Sequence, residues 1–391
     1  MSRLLAFLFG RLPIGWLQLT HSRGRFMAAV AGVAFANLLV FMQLGIMGAL
    51  NSSTVAPYEI LNADIILSSE DGNTLTDGGR IPRAWMFQAL GVSGVADATP
   101  LFIGNLPFTL DNGSSVSLLS FGMDIAKPVF ATADIAQSLA RLSLENNVLL
   151  DEGTRGMPRS VIDDLIEGGR FNFETGGNTL TAIGTMDVGG GFLADGMMMM
   201  SDQTFLRAFP NRSSAAPNHI LIATDAGVSV DTVVARLQAA LPTGNLRIQS
   251  MQGSAANDLA YMSTERPTGI IFGFGVFMGI LVGLVIVYQV LSTDVADHLR
   301  EYATFKAMGY GQPFFLGIIF EEAIILAVFG FIPGFLVSVG LYAGLVAVTG
   351  LPVEMDASRA ILVFLGTLTA CSLSGAIATR RLVNADPADL F

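Results

Sequence analysis

The stretch "STDVADHLREYATFKAMGYG" occupies Ser292–Gly311. To its left an apolar run opens at Pro267, and to its right a longer one is broken only by Glu321 and Glu322. Within it Val295, Leu299, Tyr302, Phe305 and Met308 recur at spacings of four and three, one stripe of an α-helix. Asp297, Arg300, Glu301 and Thr304 fall on the other faces. Asp294 is a candidate N-cap, and Gly309 stands ready to end the helix. The pattern predicts a short amphipathic helix over 294–308. Its stripe can be buried in two ways, against lipid headgroups or in a groove on a partner protein, and either satisfies the amphipathic pattern.

The flanking runs decide the fold. A spanning helix needs about 20 apolar residues. Four segments qualify: 26–50, 267–293, 312–348 and 360–379. Between the first and second lies a hydrophilic stretch, 51–266. The expected architecture is a bundle of four transmembrane helices with a large α+β extracytoplasmic domain inserted between the first two. Basic flanks set the orientation. Residues 1–25 carry Arg3, Arg11, Arg23 and Arg25 without an acid, the middle segment 294–311 carries Arg300 and Lys306, and the tail 380–391 opens with Arg380 and Arg381. All three are expected on the cytoplasmic side, with 51–266 and the short loop 349–359 outside. Residues 1–25 read as an amphipathic segment on the inner membrane surface with Trp16 at headgroup depth, and the first span as an uncleaved anchor.

The composition fits: 52% of the 391 residues are hydrophobic and 14% charged, against roughly a quarter charged in soluble domains. The whole net charge of −11 falls in 51–266, which argues against nucleic-acid binding. The single cysteine, Cys371, rules out an intrachain disulfide, and three scattered histidines do not resemble a metal site. The two lysines, Lys127 and Lys306, stand in no G-x-x-x-x-G-K-[ST] pattern, so the chain lacks a P-loop. No nucleophile motif or zinc motif is present. Glu321 and Glu322 are the intramembrane charges. Adjacent to each other near one membrane face, they do not form a proton relay and are expected at the cytoplasmic interface or beside a residue such as Lys306. Gly275, Gly279 and Gly283, with Gly330 and Gly334 around Pro333, offer flat faces for helix packing or dimerisation. Pro333 invites a kink.

Within 51–266, "ADIILSS", "NLPFTL", "SVSLLSFGM", "NNVLLDE", "NTLTAIGTM" and "HILIAT" read as strands between turn residues. "SVDTVVARLQAAL", capped by Ser229, and "RSVIDDLIEGG" read as helices. The mix suggests about two sub-lobes. Met197–Met200 reads as a strand with alternating burial, or as a soft surface for lipid or protein.

The order of one span, a large external domain and three spans resembles the MacB/FtsX-type ABC permeases. The stretches "GWLQLTHSRGRFMAAVAGVAFANLLVFMQLG", "ILNADIIL", "DGMMMMSDQTFLRAFP", "YQVLSTDVADHLREYATFKAMGYG" and "FEEAIILAVFGFIPG" are similar to the DevC-type members. The resemblance implies a non-catalytic permease subunit of a bacterial inner-membrane exporter. It implies that Asp294–Met308 is a coupling helix contacting a separate ABC ATPase subunit, which binds the ATP and Mg²⁺; this chain would hold no cofactor. It further implies a second permease copy, a membrane-fusion adaptor, a TolC-like outer-membrane channel, and glycolipid export. The FtsX-like alternative activates a periplasmic partner and moves no substrate.

Overall fold

The computed structural model describes residues 14–110, 113–242 and 244–383. The expectations for residues 1–13 and 384–391 therefore lie outside the described residues. In chain order the first half forms α1 (Ile14–His21), α2 (Arg23–Glu59), β1 (Ile65–Ser69), α3 (Ala84–Ala89), β2 (Val95–Thr109), β3 (Ser115–Met123), α4 (Ala133–Leu139), β4 (Asn147–Asp151) and α5 (Arg159–Ile166). There follow β5 (Phe171–Thr175), β6 (Asn178–Met186), β7 (Gly196–Ser201), α6 (Asp202–Ala208), β8 (His219–Thr224), α7 (Val230–Ala240), β9 (Leu246–Ser250), α8 (Met251–Thr264), α9 (Pro267–Asp297), α10 (Leu299–Ala307), α11 (Gln312–Thr349) and α12 (Ala357–Val383). Four of them, α2, α9, α11 and most of α12, are long and apolar enough to cross a membrane.

The chain divides into two compact units: a helical one built from residues up to Gly48 with Ile271–Leu345 and Val353 onward, and a mixed one, Ala49–Ile270 with Val346–Pro352. In the mixed unit a single nine-stranded sheet runs β5-β6-β4-β7-β3-β2-β8-β1-β9. This replaces the two sub-lobes expected from the sequence: distant strands such as β2 and β8 pair antiparallel, a contact no local pattern announces. Most neighbours are antiparallel, and β3–β7 and β4–β6 are parallel.

The methionine run is β7, between parallel β3 and antiparallel β4. Its four methionines are all buried. Successive side chains on a strand point to opposite faces. Met197 and Met199 accordingly enter the core beside Phe121, Phe130 and Leu149, while Met198 and Met200 enter the core on the other face beside Phe205 and Val148. The run fills both layers of a central strand and presents no surface to lipid. Two helix starts are fixed by hydroxyls: Ser201 Oγ accepts from Thr204 N–H at 3.1 Å, and Ser250 Oγ accepts from Gly253 N–H at 3.1 Å.

In the helical unit, α2 supplies the face against which others close. A Cβ on Gly279 would stand 3.1 Å from Val40, and one on Gly283 3.0 Å from Ala36. Gly275 lies against Gln43 in the same way. On α11, a Cβ on Gly330 would stand 2.5 Å from Val33, and one on Gly334 2.8 Å from the Ala34 carbonyl oxygen. Both ladders therefore serve close packing on α2 within one chain. Helix α11 continues through Pro333.

Candidate functional site

The loop between α9 and α10 is where sequence reading and structure differ most usefully. The second long helix does not stop at Thr293; it runs on through Asp294 to Asp297. Nothing in "STDVAD" forbids helix, so the ladder continues beyond the apolar run. The break falls at His298, whose backbone leaves the helical region (φ −96°, ψ 12°) and whose side chain makes no cap. The short helix α10 then begins at Leu299.

The expected stripe is divided. Val295 and Tyr302 are each only 1% exposed. They pack with Phe315, Ile318 and Ile319 on α11, with Phe305 and Phe314 at the edge. The Tyr302 and Phe315 rings meet edge to face at 5.8 Å. Thus Val295, at the end of α9, and Tyr302, in α10, are both covered by the chain's own bundle and offer nothing to another molecule. The correction has a simple cause: α11 folds back directly after the turn and takes the apolar face itself. Backbones of Leu299 and Arg300 are helical, and their side chains lie outside the described residues.

What remains outside is the tip. Met308 is 60% and Tyr310 46% exposed, and Glu301, Thr304, Lys306 and Gly309 through Pro313 are exposed as well. The tip is held by a Schellman turn. Gly309 takes a left-handed conformation (φ 91°), its N–H donates to Lys306 O at 3.1 Å, and the Tyr310 N–H donates to Phe305 O at 3.1 Å. The apolar contact that accompanies this motif is present too: the rings of Phe305 and Tyr310 are 5.7 Å apart. Tyr310 also leans on Phe314 at 4.4 Å. Exposed Tyr310 is thereby held on a capped turn, next to exposed Met308.

Helix α1 straps this assembly. Gln18 is buried, accepts from the Tyr302 hydroxyl at 3.3 Å, and donates to Glu301 Oε2 at 3.2 Å. Arg25 pairs with Asp297. Gly15 lets α1 approach α11 closely, since a Cβ there would stand 3.0 Å from the Ile318 carbonyl oxygen. The Trp16 ring packs 5.6 Å from Phe329, and its backbone N–H donates to Glu321 Oε1 at 3.2 Å. So α1 is docked on the bundle. Glu321 and Glu322 are both buried and face this helix; the sequence placed them at the cytoplasmic interface or beside a residue such as Lys306. Gln18 and Tyr310 were not singled out from the sequence, and Arg25 was read only as a basic flank. For Tyr310 a signal existed, its place directly after a helix-ending glycine.

In the mixed unit, the end of α2 is clasped to α8. The Tyr58 hydroxyl donates to Asp258 Oδ2 at 2.7 Å and lies 3.0 Å from Ser254 Oγ, and the Leu75 N–H donates to the same Asp258 oxygen at 2.7 Å. Burial raises the Asp258 carboxyl above its ordinary range, and these donors pull it back. His219 is buried between Ser68 Oγ (Nδ1, 2.8 Å) and the Leu75 carbonyl (Nε2, 2.8 Å). A carbonyl only accepts, so Nε2 carries the proton and Nδ1 accepts from Ser68. Burial lowers the His219 pKa to about 4.

Comparison with known proteins adds the following. Residues 273–387 match the family described as FtsX-like permease C-terminal, so the whole α9 tail, α10 and α11 lie inside the match. No curated protein matches the chain. Among solved structures, the periplasmic region of MacB from Actinobacillus actinomycetemcomitans is similar over 49% of this chain and 91% of its own, with 12% identity and a TM-score of 0.34. The extracellular domain of the noncanonic ABC-type transporter YknZ from Gram-positive bacteria is similar over 48% and 98%, with 10% identity and a TM-score of 0.34.

Proposed function

The chain carries an FtsX-like permease C-terminal domain, and from that premise we propose that it is the membrane subunit of an ABC exporter, driven by a separate ATPase that docks on the tip of α10. The observation that carries this reading is the division of the stripe. Val295 at the end of α9 and Tyr302 in α10 anchor this segment in the helical core, while Met308 and Tyr310 stand exposed on a capped turn. A helix rooted at one face and free at its end transmits a push without absorbing it. ATP and Mg²⁺ bind the ATPase, and this chain catalyses nothing.

Two copies of the permease flank a pair of ATPases in the cytoplasm of a bacterium, with both termini on that side of the inner membrane. Closure of the ATPases displaces α10, and the long helices pass the displacement to the periplasmic residues 51–266. That domain moves a lipid-like or other periplasmic substrate toward a membrane-fusion adaptor and a TolC-like channel. The DevC-type likeness of the local sequences supports this choice of partners. The covalent routes into the domain are α2 and the α8–α9 junction, and the Tyr58–Asp258 clasp ties them where they enter.

The test is co-purification. Met308→Asp with Tyr310→Asp places two charges on the exposed pair without touching Tyr302. The ATPase is expected to be lost from the purified complex while the permease stays folded in the membrane. Undiminished co-purification overturns the assignment.

A further inference from the structure

Helices α2, α9 and α12 leave an apolar cleft of about 250 Å³ between them. Its wall is made chiefly of aliphatic side chains, Val40, Ile280 and Leu362 among them, with Gly279 and Gly283 of α9 and Gly366 of α12 set between them. Gly279 and Gly283 are tight against α2, as described, so they cannot widen the cleft further. Gly366 is different: a Cβ there would meet nothing within 4 Å. The polar side chains in the wall are Asn37 and Thr367: the Thr367 hydroxyl donates to Asn37 Oδ1 at 2.5 Å, and Asn37 Nδ2 is the one buried side-chain polar atom of the lining left without a partner among the described residues. No charged side chain lines the cleft. Such a wall does not hold water, because an ordered water needs two or more polar partners, and apolar cavities of this kind take up apolar guests. All the lining residues belong to helices long and apolar enough to span a membrane, so the medium that meets the cleft is hydrocarbon.

We propose that this cleft is a binding site for a single hydrocarbon chain of a membrane phospholipid, seated between α2, α9 and α12 at Gly366. Recognition is by shape and by a lining that is mostly aliphatic and carries no charge. The site is independent of the ATPase docking proposed above.

The test uses the full chain in nanodiscs of phosphatidylcholine doped with a phosphatidylcholine whose acyl chain carries a diazirine. After illumination, mass spectrometry locates the adducts along α12. Label is expected on Gly366, Thr367 and Cys371 in the native chain. Gly366→Leu fills the cleft without a clash and should reduce that label roughly tenfold, the loss of about 1.4 kcal/mol of binding. Gly340→Leu on α11, where a Cβ also meets nothing within 4 Å, is the control and should leave the label unchanged. If Gly366→Leu does not accumulate, Ala370→Leu fills the same cleft one turn away and should have the same effect. Label confined to the outward Ile361 and Leu365, or label in the cleft that survives its filling, overturns the proposal.

Discussion

Tyr58 donates its hydroxyl proton to Asp258 across 2.7 Å, joining the last turn of α2 to the middle of α8. Both groups are buried, so the bond offsets the cost of burying a carboxylate. Tyr58→Phe should lower stability by about 1–3 kcal/mol at neutral pH. The loss has a pH signature. Burial already holds the Asp258 pKa above its unfolded value, and removing the donor raises it further. The penalty is therefore largest where Asp258 is ionised and shrinks as pH falls and the carboxyl protonates. Thermal unfolding of the full chain at pH 7 and at pH 5 checks this, and a penalty equal at both would contradict it.

The glycines of α11 make unequal demands. Gly334→Val places a Cβ within 2.8 Å of the Ala34 carbonyl oxygen, and backbone cannot yield as a flexible side chain does. It should cost on the order of 1–3 kcal/mol. Gly340→Val meets nothing within 4 Å and should stay within about 0.5 kcal/mol of the parent. Thermal midpoints of the two variants in one detergent decide it; equal midpoints would remove α2 as the partner of this ladder.

His219 gives the mixed unit an acid limit. Its folded pKa, about 4, lies below the unfolded value near 6.5. The unfolded chain therefore takes up the proton first. The stability tied to the neutral ring is fully present above about pH 6.5 and is lost as pH falls toward 4, amounting to about 3 kcal/mol. Asp151, Asp202 and Asp258, raised by burial, act in the opposite sense at acid pH, so the bare pH curve mixes their effects with that of the histidine. The difference between the native chain and His219→Gln isolates the histidine. Gln can donate to the Leu75 carbonyl and does not titrate, so its variant should lose less stability between pH 7 and pH 4.5.

Gln18 links α1 to α10 through Tyr302 and Glu301. Gln18→Ala should leave the ATPase bound, since the exposed tip is intact, yet weaken the stimulation of its ATP hydrolysis by the permease several-fold. Co-purification and ATPase rate, measured on the same preparation, separate the two effects. Loss of binding itself would place Gln18 in the docking surface instead.

The sequence made some of this visible and hid the rest for physical reasons. The strands "SVSLLSFGM", "NTLTAIGTM" and "HILIAT" coincide with β3, β6 and β8 because turn residues bound each run sharply. Strand β9, "LRIQS", carries a charge and an amide within five residues and is a strand chiefly because β1 pairs with it. Periodicity located the stripe that runs from the end of α9 into α10 but not its neighbour: Val295 and Tyr302 look like a docking stripe until α11 is seen to cover them. The glycine ladders announced close packing without naming α2 as the partner. The strap made by Gln18 joins residues more than 280 positions apart, and no local pattern encodes it.

The central claim is that the ATPase meets this chain at the tip of α10. A photo-crosslinking amino acid at Tyr310, with the ATPase subunit co-expressed, tests it most directly; the same residue placed at Gly113, in the turn between β2 and β3, is the control. The account predicts a permease–ATPase adduct from position 310 and none from 113. An adduct from 113, or none from 310 while the two subunits still co-purify, would contradict it.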